Sequence, residues 1–156
     1  MNRVDYEALQ KRCFALTSGE TDEVAVMATL ACETHHADAR FDWTGFYRVV
    51  APNVLKIGPY QGGHGCLTIP FDKGVCGAAA RQRAVQIVDE VTSFEGHIAC
   101  AASTRSEIVL PVIASGGRLI GVLDIDSDQP AAFNADDAQG LAAILDAAFS
   151  AEGTWR

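Results

Sequence analysis

The chain has 156 residues, of which 49% are hydrophobic and 21% charged, a composition typical of a folded globular domain rather than a disordered chain. Its 12 Lys and Arg against 20 Asp and Glu give a net charge of −8, which argues against nucleic acids and anionic membranes as partners because both bind cationic surfaces. No stretch is apolar and long enough to cross a bilayer, and no secretory signal segment is visible at the N-terminus. We therefore expect a single domain over residues 1–156 that works in the cytoplasm.

The first half of the chain predicts helices followed by strands. Apolar residues recur at helical spacing on either side of a break at Ser18-Gly19, and acidic residues follow Thr21 in the first turn of the second helix. Aromatic and β-branched residues then flank a Pro52-Asn53 turn. In chain order the predicted elements are a helix over 4–16, a helix from Thr21 to His35-His36, strands over 42–50 and 54–60, a glycine-rich loop over 58–65 and an extended piece over 66–69.

The second half predicts further strands between two helices. Asn134 stands at a helix cap, with Asp136 and Asp137 in the first turn. Helices at both ends around about six strands, many joined as hairpins, predict an α+β fold with helices packed on a mainly antiparallel sheet. The elements are a helix over 74–83, a strand over 85–91, a loop over 93–104, strands over 107–114 and 119–126, and a last helix with the apolar stripe Leu141, Ile144, Leu145, Ala148 and Phe149.

Three acids belong to the hairpin predicted around Gly116-Gly117. Glycines in both turn positions favour a two-residue turn, and this register places Glu107 opposite Asp126 and Val109 opposite Asp124. Since side chains alternate between the faces of a strand, the three acids point to one side. Either this is a solvated acidic edge of the sheet, or one acid keeps a proton and the group binds a cation such as an ammonium. A bulge or a longer turn would change the register.

The five cysteines are the second chemical feature. In a reducing compartment they serve as buried hydrophobes, metal ligands or redox groups rather than as permanent disulfides. Cys76 begins a predicted helix, where backbone N–H groups favour a thiolate. Cys66 and Cys100 lie on glycine-flanked loops that could bring them within disulfide distance, whereas Cys13 and Cys32 fall in helical stripes and are expected in the core.

Zinc is the alternative use of the same loops. His64 precedes Cys66 by two positions, and His97 precedes Cys100 by three. Structural zinc sites are normally built from short C-x₂₋₄-C pairs, and the sequence has none. We therefore expect no metal site.

The motifs together resemble a known family. DWTGFY at Asp42 to Tyr47, then GPYQG, GVCG, GHIAC, SEIVLP and GVLDIDS are similar to the free methionine-(R)-sulfoxide reductases, with a match over about 42–145. The resemblance implies a GAF fold, a small single-domain enzyme without a cofactor, and a homodimer. It also implies free L-methionine (R)-sulfoxide as the substrate and a thioredoxin-type dithiol as the reductant. Because most GAF domains bind ligands without catalysis, a non-catalytic ligand-binding or redox-sensing module is the alternative.

The same resemblance implies roles for individual residues. Cys100 would attack the sulfoxide sulfur, Cys66 would resolve the product as a disulfide, and Cys76 would be auxiliary. The substrate amino group and the protons would be handled by Glu107, Asp124 and Asp126, and the apolar wall at the methyl end would be Trp43 and Tyr47. The chain departs from the family pattern at Glu95, where Pro is common, and at Ala101, where Asp is common. The first change is expected to loosen the loop that carries Cys100, and the second removes a negative charge beside the nucleophile.

Overall fold

The computed structural model describes residues 4–150. The helices are α1 (Tyr6–Thr17), α2 (Glu23–His35), α3 (Gly74–Gln82) and α4 (Ala135–Phe149), and the strands are β1 (Trp43–Ala51), β2 (Val54–Gln61), β3 (Thr68–Pro70), β4 (Gln86–Val88), β5 (Ser106–Ile113) and β6 (Leu119–Ser127). The strands form one sheet in the order β3-β2-β1-β6-β5-β4. Every neighbouring pair is antiparallel. The predicted α+β class with about six strands is confirmed.

Alternating side chains divide the interior into two clusters, one on each face of the sheet. Phe46, Ile108 and Leu123 belong to the cluster that contains residues of α1, α2 and α4. Their strand neighbours Tyr47 and Val109 belong to the other cluster, together with residues of α3. This is the period-two alternation expected of strands that are buried on both faces. Three helices thus cover one face, and α3 with its adjoining loops covers the other.

Polar caps fix the starts of the two longest helices. Asn134 accepts hydrogen bonds from the backbone N–H groups of Asp136 and Asp137, and the Asp137 side chain accepts one from the Asn134 N–H. This capping box confirms the predicted start of α4. The predicted start of α2 is wrong by one position, because Asp22 rather than Thr21 accepts from the N–H groups of Val24 and Ala25.

The hairpin between β5 and β6 has a different turn from the one predicted, but its acidic residues are paired in the predicted register. The turn is not the two-residue loop expected, since the Ala114 N–H donates to the Arg118 carbonyl and leaves a loop over 115–117. An irregularity between Val112 and Ile113 then shifts the register back by one residue. Beyond it Glu107 pairs with Asp126 and Val109 with Asp124, as predicted. The bulge compensates for the extra loop residue.

The predicted strand over 85–91 was too long. Pairing of β4 with β5 ends at Val88, because the next carbonyl, of Asp89, accepts from the Ala131 N–H instead of from β5. The chain then makes a 3₁₀ turn over Val91–Ser93. Within residues 4–150 no helix has both the length and the apolar character needed to cross a membrane.

Candidate active site

A cleft of about 530 Å³, including the part open to solvent, lies on the α3 face of the sheet. Strands β1, β5 and β6 form its floor, the start of α3 forms one side, and the loops around residues 64 and 97–104 form its rim. Seven of the eight residues that the sequence singled out line this cleft: Trp43, Tyr47, Cys76, Cys100, Glu107, Asp124 and Asp126. The eighth, Cys66, packs against the apolar cluster on the same face.

A disulfide joins Cys66 to Cys100, with 5.2 Å between the two Cα atoms. The glycine-flanked loops therefore do approach each other as the sequence suggested. The loop that carries Cys100 is held against α3, because the Gly74 N–H donates to the Gly96 carbonyl over 2.9 Å. The φ of Gly74 is +68° and that of Gly96 is +78°, a backbone conformation in which glycine carries no steric cost.

The disulfide also bears on the alternative zinc arrangement. Both sulfurs of the His64–Cys66 and His97–Cys100 pairs are bonded to each other in this structure. His64 and His97 both line the cleft. The two histidines therefore lie in the cleft beside a disulfide, whereas the sequence analysis considered them only as possible metal ligands.

The three acids come together at the floor of the cleft. Glu107 is 7% exposed and Asp124 is 4% exposed, and Asp126 is half-buried opposite Trp43 of β1. Among residues 4–150 no cationic side chain forms an ion pair with any of the three. Oδ1 of Asp124 is buried without a hydrogen-bond partner. The arrangement supports the interpretation in which the acids keep a proton or bind a cation, rather than the one in which they form a solvated edge of the sheet.

Burial raises the pKa of each of these carboxyl groups. For Asp124 the pKa lies well above its ordinary value because of burial and then of the neighbouring charges of Asp126 and Glu107. Burial and the Glu107 charge raise the pKa of Asp126 as well. The pKa of Glu107 is also raised by burial, although hydrogen bonds from Asp124 and Cys76 oppose the shift. Hence protons are retained among the three acids where isolated carboxyls would have lost them.

Cys76 is a buried thiol rather than the thiolate that its place at the start of α3 predicted. Burial raises its pKa well above the ordinary value, and the negative charges of Asp124 and Glu107 raise it further. The Cys76 S–H donates to Oε1 of Glu107, with 3.9 Å between sulfur and oxygen. The prediction was wrong because the favourable field of a helix N-terminus is small beside the cost of burying a charge next to two carboxyls.

Aromatic rings form the wall of the cleft beside the acids. The centroids of the Trp43 and Tyr47 rings are 5.9 Å apart, and the Tyr60 ring also stacks with Trp43 at 5.4 Å. The indole Nε1–H of Trp43 donates to the Gly63 carbonyl over 2.7 Å. Gly45 leaves room for this ring, since a Cβ there would lie 2.4 Å from its Cη2. The indole is thereby fixed at the cleft.

Several lining residues carried no sequence signal. Ile69, Ile98 and Thr104 line the cleft, but a single apolar or hydroxyl residue in a loop has no pattern that marks it. Ala101 also lies in the lining, so the departure noted there falls in the cleft itself. Of the two cysteines expected in the core, Cys13 is buried, whereas Cys32 is only half-buried beside His36.

Comparison with known proteins agrees with the architecture. Residues 20–151 match the GAF domain family. A protein from Escherichia coli named free methionine-R-sulfoxide reductase is 40% identical over 146 residues, which are 93% of this chain and 87% of that protein. The structure of fRMsr of Staphylococcus aureus in its reduced form is 37% identical with a TM-score of 0.89, and covers 95% of each chain. The free methionine-R-sulfoxide reductase of Neisseria meningitidis, solved in complex with its substrate, is 38% identical with a TM-score of 0.85 and covers 91% of this chain and 84% of that one.

The curled antiparallel sheet with helices on both faces and a cleft on the α3 side therefore defines a GAF-domain protein. Within that class, the identity to the E. coli and N. meningitidis proteins extends over nine-tenths of the chain. The chain belongs to the free methionine-R-sulfoxide reductase family.

Proposed function

We propose that this protein reduces free L-methionine (R)-sulfoxide to methionine. The observation that carries the proposal is that Cys100 and the three acids line one cleft together with the Trp43 wall. A sulfur nucleophile, a proton source and an apolar surface for a methyl group are the parts that reduction of a sulfoxide requires. The names of the E. coli and N. meningitidis relatives support this substrate.

The acids account for the choice of the free amino acid over methionine in a peptide. The floor of the cleft lacks a cationic partner within residues 4–150, and the ammonium group of a free amino acid supplies one. A peptide amide carries no charge and would leave the carboxyls of Glu107 and Asp124 buried without compensation. The substrate ammonium thus binds at the acids, and its methyl end lies at Trp43 and Tyr47.

The chemistry runs through the cysteines. The Cys100 thiolate attacks the sulfoxide sulfur while the protonated acid Asp126 gives its proton to the sulfoxide oxygen, which makes the sulfur more electrophilic. The hydroxyl then passes from the methionine sulfur to the cysteine sulfur, so that methionine departs with the electron pair and Cys100 becomes a sulfenic acid. The Cys66 thiol condenses with it, which releases water and forms the Cys66–Cys100 disulfide. The disulfide in this structure corresponds to the end of that sequence.

Recycling and context complete the proposal. A thioredoxin-type dithiol reduces the disulfide by thiol exchange and returns both thiols, so no bound cofactor is required. Such reductants act in the cytoplasm, where we place the protein. The acidic net charge of −8 argues against nucleic acid or membrane surfaces as partners. As in the resemblance noted above, we propose a homodimer.

The decisive experiment supplies each methionine sulfoxide epimer separately, with dithiothreitol as reductant, and measures the methionine released. We expect turnover of the free (R) epimer, none of the (S) epimer, and none of an N-acetylated (R) epimer that lacks the ammonium group. Release of methionine from neither epimer would reject the enzyme and favour a ligand-binding or redox-sensing GAF module.

Variants of the cysteines test the roles in the methionine-release assay, with a thioredoxin-type reductant in place of dithiothreitol. Cys100→Ser is expected to abolish methionine release, and Cys66→Ser to release about one equivalent per protein and then to stall with a thioredoxin-type reductant. Cys32→Ser, at a thiol outside the cleft lining, is the matched control and should retain full turnover. Steady turnover by Cys66→Ser would mean that another cysteine resolves the sulfenic acid.

A further inference from the structure

The buried thiol of Cys76, for which the resemblance implies only an auxiliary role, lies among atoms that are typical of a metal site. Sγ of Cys76, one carboxylate oxygen of Glu107 and one of Asp124 all lie within 4.8 Å of one another. They come from three different elements, α3, β5 and β6, so their positions are set by the packing of the fold and not by one mobile loop. All three side chains are buried and line the cleft.

A second observation indicates that this cluster lacks a ligand. Asp124 is 4% exposed, and its Oδ1 has no hydrogen-bond partner. A buried carboxylate oxygen without a donor is costly, and most such atoms in folded proteins are paired. The unpartnered atom belongs to a side chain that lines the cleft, where a bound cation would satisfy it.

The donor set decides the kind of cation. Zn²⁺ binds sulfur at about 2.3 Å and carboxylate oxygen at about 2.0–2.2 Å in a tetrahedron, so a sulfur and an oxygen ligand lie about 3.6 Å apart. The observed distance between Sγ of Cys76 and Oε1 of Glu107 is 3.9 Å. Mg²⁺ and Ca²⁺ prefer oxygen ligands alone, whereas a thiolate ligand selects the softer ions. Three protein ligands leave a fourth position open toward the cleft, as in many zinc sites that bind a small molecule.

We propose that Cys76, Glu107 and Asp124 form a binding site for a thiophilic divalent cation of the Zn²⁺ type at the floor of the cleft. The ion and the substrate's ammonium group then exclude each other, because both need the same two carboxylates. This second statement rests on the proposed function, whereas binding of the ion by itself does not. The bound ion would therefore inhibit the enzyme. Its ligands differ from those of the zinc arrangement that the sequence analysis considered around His64 and His97.

Co²⁺ is the probe, since a bound thiolate gives it an ultraviolet charge-transfer band. The protein is used oxidised, so that Cys66 and Cys100 are joined and three thiols remain free, those of Cys13, Cys32 and Cys76. We expect a saturable band with one ion per chain, and displacement of Co²⁺ by Zn²⁺. Cys76→Ser is expected to abolish the band. Asp124→Asn is expected to weaken Co²⁺ binding by about 100-fold, because loss of a residue that only hydrogen-bonds to a metal ligand already lowers metal affinity by about 10–100-fold.

Cys32→Ser is the matched control, because Cys32 lies 3.8 Å from Nδ1 of His36 and is the rival cysteine for a metal. This variant should keep the band unchanged. A wild-type protein without the band, a band that survives Cys76→Ser in a folded variant, or one that disappears in Cys32→Ser would each overturn the site. If Co²⁺ binds as expected and free methionine fails to displace it, the ion site stands and the ammonium position of the proposed function is wrong.

Discussion

Asp124 is the residue at which burial and charge conflict most strongly. It lies at the centre of a β-sheet with a buried carboxyl whose Oδ1 has no partner, beside Glu107 and Asp126, whose pKa values are raised as well. Such an arrangement costs stability wherever the groups ionise, and it persists in functional sites because a ligand relieves it. The residue is therefore better explained by what it binds than by what it contributes to the fold.

The raised pKa values predict that stability falls as pH rises. The folded state keeps protons that the unfolded state loses above about pH 4. The free energy of unfolding should therefore decrease as the pH rises above about 5, until the carboxyls of the folded state ionise as well. The slope is at most about 1.4 kcal/mol per pH unit for each carboxyl. Urea unfolding of the ligand-free protein with a metal chelator, repeated across pH, measures this slope.

Asp124→Asn should flatten the same slope, because it removes a group whose pKa is raised well above its ordinary value by burial and by both neighbouring acids. The exposed Asp146→Asn on α4 serves as the control and should leave the slope unchanged. Stability that is independent of pH in this range for the wild-type protein would mean that the acids are solvated and ionised.

At the scale of elements, the site depends on the contact between β1 and β6. Gly121 of β6 lies opposite Arg48 of β1 and next to the irregularity that restores the register of the hairpin. A Cβ at this position would lie 2.2 Å from the Tyr47 carbonyl oxygen. The close approach keeps Tyr47 and Asp124 on facing strands within one cleft, so the glycine links the register of the hairpin to the geometry of the site.

Gly121→Ala should accordingly destabilise the protein by about 1–3 kcal/mol, the usual cost of inserting a methyl group into a packed interior. It should also weaken methionine sulfoxide turnover per folded molecule, since the strands that carry Tyr47 and Asp124 must move apart. Thermal unfolding and the steady-state assay measure the two effects.

Gly63→Ala is the matched control, because its Cβ would meet no atom within 4 Å; we expect a change within about 0.5 kcal/mol. Equal stability of the two variants would show that β1 and β6 tolerate a wider separation than the structure has.

At the scale of the whole molecule, a partly buried ionic network joins the helix layer on the face opposite the cleft. Arg40 donates to both carboxylate oxygens of Asp137 at 3.2 Å and to those of Asp38 at 3.0 Å. The Tyr6 hydroxyl donates to Asp137 over 2.7 Å. Although burial raises the pKa of Asp137, the hydrogen bonds from Arg40 and Tyr6 outweigh it and lower the pKa. The network connects α1, α4 and the segment before β1.

Arg40→Met is expected to destabilise the protein by about 3 kcal/mol, because it leaves the buried Asp137 without its cation. The contribution of Asp137 also has the opposite pH dependence to that of the cleft acids, since its lowered pKa makes it stabilising above about pH 4 and less so as the pH falls. Urea unfolding at neutral pH and at pH 3 measures both effects.

The comparison variant is Lys11→Met at the exposed Lys11–Glu7 pair, whose side chains are 75% and 80% exposed; about 0.5 kcal/mol or less is expected there. Turnover per folded molecule should stay near the wild-type value in Arg40→Met, because the network lies across the sheet from the cleft. A large loss of activity without a loss of stability would contradict this separation of fold and site.

Much of the fold and of the candidate site could be predicted from the sequence, because these features depend on residues close together in the chain. The alternation of β5 and β6 places Glu107, Asp124 and Asp126 on one face, and the cap at Asn134 marks the start of α4. The predicted two-residue turn of the β5–β6 hairpin was wrong, but the predicted pairing of the acids was right, because the bulge near Val112 offset the longer loop. Hydrogen bonds to distant residues, such as that of Asp89 with Ala131, shortened β4 in a way that no local pattern contains.

The sequence by itself determined the strand faces, the start of α4 and the set of cysteines and acids, because each follows from spacing along one segment. Only the tertiary structure decided that Cys66 and Cys100 are joined and that Cys76 is a protonated thiol against Glu107. The physical reason is that burial and the distance between charges depend on elements far apart in the chain. The field at the start of α3 is local and visible in the sequence, whereas the desolvation that outweighs it exists only once α3 has packed on the sheet.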